Sequence, residues 1–314
     1  MAREAKKKEH ESNSPWKPTR REDLEPKIRN LIKGFIKEIP SLPAHAHKLL
    51  DVVSSKESDL LEVAKVASSD PAVVTNIFKA VNSSYYGLSH RTNNLNFAIV
   101  LLGFNEVRKI AIQTNFSHAL GKSWTYKGYT TRDLWEHSYM VSVCAETFGD
   151  SKDPRYSGEL LTFGLLHDIG KYVLFKLAMA MQKKGIAPYK SAQASESSNI
   201  LEREEAIFNI NHTIVGSMLA ERWNLSEKIC SILEYHHYPS YWSIEAIPPE
   251  YLKDTAIICF SDLIVRRLTG EEKIPEPSKE YYKMFNAAPS SDNLITDERR
   301  IKIEEARKYI DFIQ

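Results

Sequence analysis

Residues 164–171 read Gly164-Leu165-Leu166-His167-Asp168-Ile169-Gly170-Lys171, inside a stretch, Leu160 to Ala178, that is apolar almost all round. A helix that is apolar on every side is one buried in the middle of a bundle. The stretch therefore predicts a central helix of a helical domain, interrupted by a His-Asp doublet and Lys171. A carboxylate in such surroundings is costly unless it is paired or bound to a cation. Asp168 must find its partners elsewhere in the chain.

Suitable partners flank the doublet on both sides. His137 shares an apolar helix face with Leu134 and Val141, His212 precedes a helix expected at 213–223, and His236-His237 continues the stripe Ile229, Ile232, Leu233. Asp262 lies between Ile258 and Val265 on a helix expected at 250–268. Each alone has an ordinary reading. His137 reads as a hydrogen-bonded core histidine and His212 as the cap of the helix after it. The doublet His236-His237 reads as a helix end, where positive charge suits the dipole. Taken together, five imidazoles and two carboxylates beside apolar stripes predict a site for one or two divalent metal ions. Iron, manganese, zinc and nickel all accept imidazole, carboxylates shift the balance toward harder ions, and donor types alone do not choose among them.

The remaining sequence is helical as well. Leu24, Ile28, Leu31, Ile32, Phe35 and Ile36 recur at spacings of three and four, and Ile39 to Pro43 ends their stripe. Helices are expected at 44–53 and 59–67. Asp70-Pro71 reads as an N-cap and first-turn proline for a helix reaching Val81. Another runs over 94–102 and stops at Gly103, and Asn105 is placed to cap the next, through Phe116. No alternating strand pattern occurs, so the fold class is all-α. The expected segments are a disordered polar tail at 1–23 carrying Lys6-Lys7-Lys8, a helical subdomain at 24–120, a metal-site bundle at 131–270, and an irregular segment with a final amphipathic helix at 271–314. A polar, aromatic linker spans Gly121 to Thr130, and Pro188 to Ser198 reads as a mobile loop.

Composition narrows the function classes. A length of 314 residues predicts roughly two domains. Forty-two basic against 41 acidic residues leave a net charge of +1, too little for a general nucleic-acid field. The pairs Arg266-Arg267 and Arg299-Arg300 are too short to form a basic stripe. Three cysteines without a CxxC pair predict neither a disulfide framework nor a thiolate zinc site. No run approaches the roughly 18 apolar residues of a spanning helix, and the N-terminal residues lack the apolar core of an export signal. A cytoplasmic protein without a membrane partner is expected.

The stretch 164–171 resembles the signature of the HD superfamily of helical metal-dependent phosphohydrolases, named for its His-Asp doublet. Over roughly residues 30 to 268 the chain resembles the HDOD family, an HD-related output domain of bacterial signalling proteins. Ile39-Pro40-Ser41-Leu42-Pro43, Ser69-Asp70-Pro71 running on to Val81-Asn82-Ser83, and Ala98-Ile99 with Leu102-Gly103 carry that likeness. So do Glu204, Phe208, His212, Val215-Gly216, Trp223 and His236-His237. The resemblance implies an N-terminal helical subdomain packed on an HD-like bundle, and a stand-alone signalling module. It implies His137, His167, Asp168 and Asp262 as the basic ligand set, with His212, His236 and His237 matching the extra histidines of HD-GYP phosphodiesterases. The element after the doublet is Tyr238-Pro239-Ser240-Tyr241 rather than GYP, which argues against cyclic di-GMP hydrolysis.

Two functions follow from the resemblance. The favoured one is a signal-transduction protein with a His/Asp metal site and no established catalysis, working through a signalling protein partner. Tyr85-Tyr86-Gly87-Leu88 and Ser89 to Asn94 are candidate contact residues, and the last helix offers a face for a homodimer or for docking within the chain. The alternative is a metal-dependent phosphohydrolase acting on a nucleotide or cyclic dinucleotide. There Asp168 bridges the cations, and Lys171, one turn beyond His167, reaches the phosphoryl oxygens.

Overall fold

The computed structural model describes residues 16–43, 47, 48, 52, 60–120, 125, 126, 129–149, 153–186, 199–271 and 275–312. The lysine run at 6–8, most of the helix expected at 44–53 and the loop expected at 188–198 lie outside them. In chain order the helices are α1 (Pro26–Lys37), α2 (Leu60–Ala67), α3 (Pro71–Val81), α4 (Leu95–Leu102) and α5 (Phe104–Leu120). A two-residue antiparallel pair, β1 (Thr125–Tyr126) with β2 (Tyr129–Thr130), follows in the segment expected to be a linker. Then come α6 (Thr131–Glu146), α7 (Pro154–Leu166), α8 (Ile169–Lys183), α9 (Ile200–Phe208), α10 (His212–Arg222) and α11 (Glu227–Tyr235). The chain closes with α12 (Pro249–Leu268), α13 (Lys279–Lys283) and α14 (Asp297–Phe312). The fold is all-α, and among the described residues no helix is long and apolar enough to cross a membrane.

Local chemistry sets most boundaries. Asp70 accepts the backbone N–H groups of Ala72 and Val73 ahead of first-turn Pro71. Asn94 caps α4 by accepting from Phe97, and Gly103, at φ +78°, ends it. Thr130 and Asp133 form a reciprocal capping box at the start of α6. Asn105, expected as a cap, instead lies inside α5, where its amide donates to Glu146 at 2.6 Å. The apolar stretch 160–178 is two helices, not one. It breaks at His167-Asp168, where Asp168 leaves helical geometry at φ −96° and ψ 10°. The break frees both polar side chains from their helices.

Packing divides the chain into two units, Met1–Glu38 with Leu166–Asp297, and Ile39–Leu165 with Glu298–Gln314. This grouping differs from the expected order of segments, because chain ends pack with distant middles. In the first unit α10 packs against α1, α8 and α11, and α11 packs against α12. Trp16 to Asp23, expected as part of a disordered tail, is held on this bundle. The Thr19 N–H and hydroxyl both donate to Glu205, and Arg21 binds Glu221 through both terminal nitrogens and also reaches Glu234. In the second unit α3 packs on α4 and α5, and Ile303, Ala306, Tyr309 and Ile310 of α14 are buried. Of that stripe, the Tyr309 ring packs on Tyr85, Tyr86 and Tyr139 of the same unit. Tyr85 remains 43% exposed, its ring edge-on to those of Tyr86 and Tyr309.

Candidate metal centre

Six of the seven ligand-type residues expected from the sequence belong to the first unit: His167, Asp168, His212, His236, His237 and Asp262. The break between α7 and α8 presents His167 and Asp168. The N-terminus of α10 presents His212. His236-His237 follow the last turn of α11, and Asp262 sits in the middle of α12. His137, on α6, belongs to the second unit and is half-buried.

Asp168 is the centre of the group. Its carboxylate is fully buried. Oδ1 lies 3.2 Å from His212 Nε2, and Oδ2 lies 3.3 Å from His167 Nε2 and 2.5 Å from Lys171 Nζ. Burial alone would raise its pKa, but the charges of His167 and Lys171 and the bonds from His167 and His212 hold it well below the usual carboxylate range. Asp168, His212, His236 and His237 each offer a ligand atom within 4.8 Å of the others. Asp262 Oδ1 stands 3.9 Å from His167 Nε2 and accepts Arg266 Nε at 2.8 Å.

The imidazoles are oriented from behind. His212 is the first residue of α10 rather than its cap; Asn211 caps the helix, accepting the Ile214 N–H. Glu204 Oε2 receives both the His212 backbone N–H at 2.8 Å and Nδ1 at 2.7 Å. This leaves Nε2 facing Asp168 and, at 3.3 Å, His236 Nε2. Burial would lower the His212 pKa, yet the Glu204 charge and the bonds to Asp168 and Glu204 raise it. His236 Nδ1 donates to the Leu233 carbonyl at 2.8 Å, so its Nε2 carries the lone pair. Burial and neighbouring imidazoles hold His236 and His237 neutral, well below the usual histidine range.

These residues fit a divalent transition ion. The neutral imidazoles of His236 and His237 and the buried carboxylates of Asp168 and Asp262 are donors that such ions take, and Glu204 and the Leu233 carbonyl already orient the His212 and His236 rings. The Nε2 of His237 has no hydrogen-bond partner among the described residues, although the residue is 9% exposed. A buried ring nitrogen in that state is costly unless an ion or water meets it.

Glu204, named in the sequence only among the residues that carry the family likeness, precedes His212 by eight residues on the buried side of α9 and proves to be its partner. Arg266, read in the sequence only as half of a short basic pair, bonds Asp262, and their i,i+4 spacing was the available signal. Lys171, expected to face a phosphoryl group, lies against Asp168. Arg267 binds Glu276 at 2.8 Å, and Arg299 donates to Thr147 while its guanidinium covers the Phe148 ring.

The family model described as HDOD domain matches residues 39–239. An uncharacterized protein of Treponema pallidum (strain Nichols) is 23% identical over 270 residues, 82% of this chain and 48% of that protein. The chain thus spans about half the length of that curated relative. Among solved structures, it is similar to an HDOD domain protein of unknown function from Geobacter sulfurreducens (TM-score 0.63, 22% identity, 91% of this chain and 97% of that one). It is similar also to a candidate signal transduction protein from Marinobacter aquaeolei VT8 (0.69, 17%, 91% and 65%). A third likeness is to a candidate metal-dependent phosphohydrolase from Shewanella amazonensis SB2B (0.54, 18%, 90% and 99%). At these identities the likeness is one of fold.

Proposed function

The chain belongs to the HDOD domain family, and on that premise we propose that it is a bacterial signal-transduction protein built around a divalent-metal centre, with no established catalysis. Its proposed ligands are His167, Asp168, His212, His236, His237 and Asp262, with His137 added from the sequence. The proposed ions are one or two of iron, manganese, zinc or nickel. The observation that carries this reading is the single buried carboxylate of Asp168 in contact with two imidazoles and Lys171 at once. His236 and His237 bring desolvated imidazoles to that cluster, and with Asp168 and His212 they would hold a divalent cation that tied α8, α10 and α11 together. The module then acts through a signalling protein partner in a reducing cytoplasm, for which the half-exposed Tyr85 is a candidate contact.

The alternative is a metal-dependent phosphohydrolase acting on a nucleotide or cyclic dinucleotide. The proximity of Lys171 Nζ to Asp168 favours it, because an ammonium beside a ligand carboxylate is placed to meet a phosphoryl oxygen. A divalent cation would supply Lewis acidity there and activate water near neutral pH. Asp168 would hold the cation, and Lys171 would transfer its attraction from the carboxylate to the substrate.

The test is metal content by mass spectrometry on protein purified without chelator or nickel resin, beside Asp168→Ala. One or two equivalents of a transition metal in the wild type, lost in the variant, are expected. A metal-free, well-folded wild type would overturn the metal centre. Metal-dependent hydrolysis of a nucleotide, abolished in Asp168→Ala, would favour the alternative over the non-catalytic reading.

A further inference from the structure

Residues 16–24 run as a strap along the first unit and meet α9, α10 and α11, the three helices that place the proposed ligands His212, His236 and His237. The Thr19 N–H donates to Glu205 Oε1 at 2.7 Å, and its hydroxyl donates to Oε2 at 2.9 Å. Asn211 Nδ2 donates to the same Glu205 Oε1 at 2.8 Å. Arg21 grips Glu221 with both terminal nitrogens, at 2.6 and 2.7 Å, and its Nη1 lies 3.2 Å from Glu234 Oε2. Pro18 and Leu24 are buried, and Lys17 Nζ stands 4.9 Å from the centre of the Trp242 ring. Three of the partners sit beside residues of the metal centre in the chain. Glu205 binds the strap while its neighbour Glu204 holds His212 Nδ1. Asn211 binds Glu205 while its neighbour His212 faces Asp168. Glu234, which meets Arg21, comes two residues before His236.

We infer that this strap regulates the proposed metal centre: its docking and the loading of a divalent cation favour each other. The inference rests on the metal-centre reading. A cation on Asp168, His212, His236 and His237 demands fixed positions from the start of α10 and the end of α11. The strap fixes the same segments through Asn211, Glu205 and Glu234. Each event therefore spares the other part of its ordering cost, which is positive coupling without a shared contact. Such coupling is reciprocal: if the strap tightens metal binding, metal must tighten the strap by the same factor. The hold is also suited to release. Glu205 and Glu234 are buried and gain from a donor. The Arg21–Glu221 pair is part-exposed, with Glu221 at 48%, and pairs in that setting add little and weaken with salt. Undocking frees the basic residues Lys17, Arg20 and Arg21 from Trp242 and Glu221. Their presentation is an output open to a signalling module without established catalysis.

The test uses the full chain, stripped with chelator and reloaded with zinc or manganese. It reads metal affinity by chelator competition, and hydrogen exchange over residues 16–24 by mass spectrometry. Stripping is expected to speed that exchange about tenfold, and reloading to restore protection. Arg21→Ala is expected to bind metal about tenfold more weakly, and Arg21→Lys, which keeps the charge but loses the fork, to fall between. Glu276→Gln is the control for general destabilisation, because Glu276 bonds Arg267 and Ser291 rather than the strap. It is expected to bind metal as the wild type does. Unchanged metal affinity in Arg21→Ala, an equal loss in Glu276→Gln, or strap exchange indifferent to metal would each overturn the inference. Should Arg21→Ala not fold, Thr19→Val, which removes one bond to Glu205, decides instead. A loss of about threefold in metal affinity is expected there, and no loss overturns the inference. A wild type that takes up neither metal overturns the metal-centre reading and this inference with it. One that takes up metal while its strap exchange stays the same overturns this inference alone.

Discussion

Glu204 Oε2 accepts two bonds from one residue, the backbone N–H of His212 at 2.8 Å and its Nδ1 at 2.7 Å. One carboxylate oxygen thus fixes both the start of α10 and the rotation of the imidazole that faces Asp168. Carboxylates behind metal-bound histidines raise ligand basicity and hold ring orientation, and their loss costs about 10- to 100-fold in metal affinity. Glu204→Ala is therefore expected to weaken metal retention by about that range in chelator competition. Glu204→Gln, which keeps an acceptor, is expected to fall between the two. Equal retention in all three proteins at matched thermal stability would remove Glu204 from this role.

Gly170 is where α8 meets α10. A Cβ there would lie 1.9 Å from the His212 carbonyl oxygen and 2.6 Å from the Gly216 nitrogen. Both are backbone atoms, so the helices must part for even one methyl group. Gly170→Ala is expected to destabilise by about 1–3 kcal/mol or more. For domains of this size that is a fall in Tm of about 2–4 °C per kcal/mol. Because the displaced carbonyl belongs to His212, metal retention should fall with stability. A variant as stable as the wild type in urea would show that α8 and α10 pack less closely than this.

The parts of this molecule that were legible in the sequence are those written in local chemistry. Asp70-Pro71 announces the start of α3, Gly103 the end of α4, and the His and Asp residues stand out because each interrupts an apolar stripe. The break between α7 and α8 was not legible, since 160–178 contains no proline and its glycines lie where helices still run. Its cause is the cluster itself, which draws His167 and Asp168 together with residues up to 95 positions later. Asn211 and His212 are adjacent polar residues, and periodicity alone does not say which one caps α10. The joining of α1 and Arg21 to α10 spans a separation of 200 residues and leaves no periodic trace. The part Glu204 plays at His212 was hidden for a related reason. It reaches His212 across a reversal at Asn209, whose φ is +54°, and no spacing rule for a single helix covers that turn.

The cysteines of the first unit should be chemically silent. Burial pushes the Cys230 thiol up to about 11 and raises Cys259 further. At pH 8 only about one Cys230 in a thousand would be thiolate, the reactive form. Cys144 is buried too. Native protein is expected to give negligible reaction with a thiol-specific disulfide reagent at pH 8, and three equivalents on unfolding in urea. Rapid modification of one thiol in the native state would mean that the bundle around α11 or α12 opens on that timescale.

Glu276 supplies the pH dependence that can be assigned away from the proposed ligands. It joins three segments, accepting from Arg267 at 2.8 Å, from the Ser291 hydroxyl at 2.8 Å and N–H at 3.2 Å, and from the Tyr282 hydroxyl. Burial would raise its pKa, but the bonds from Tyr282, Arg267 and Ser291 outweigh that and lower it. A carboxylate whose pKa is lower folded than unfolded stabilises the protein above the unfolded value, about 4.3. That contribution fades as pH falls through the folded value. Charged hydrogen bonds are worth about 1.5–3 kcal/mol when buried, and the half-exposed setting reduces this to about 1 kcal/mol. Glu276→Gln should therefore be less stable than the wild type by about 1 kcal/mol at pH 7, and the gap should close between about pH 5 and pH 3. Urea midpoints for both proteins across that range measure it directly. A gap that persists unchanged at pH 3 would mean that the interaction is steric rather than ionic, with Glu276 acting as a spacer between Arg267 and Ser291.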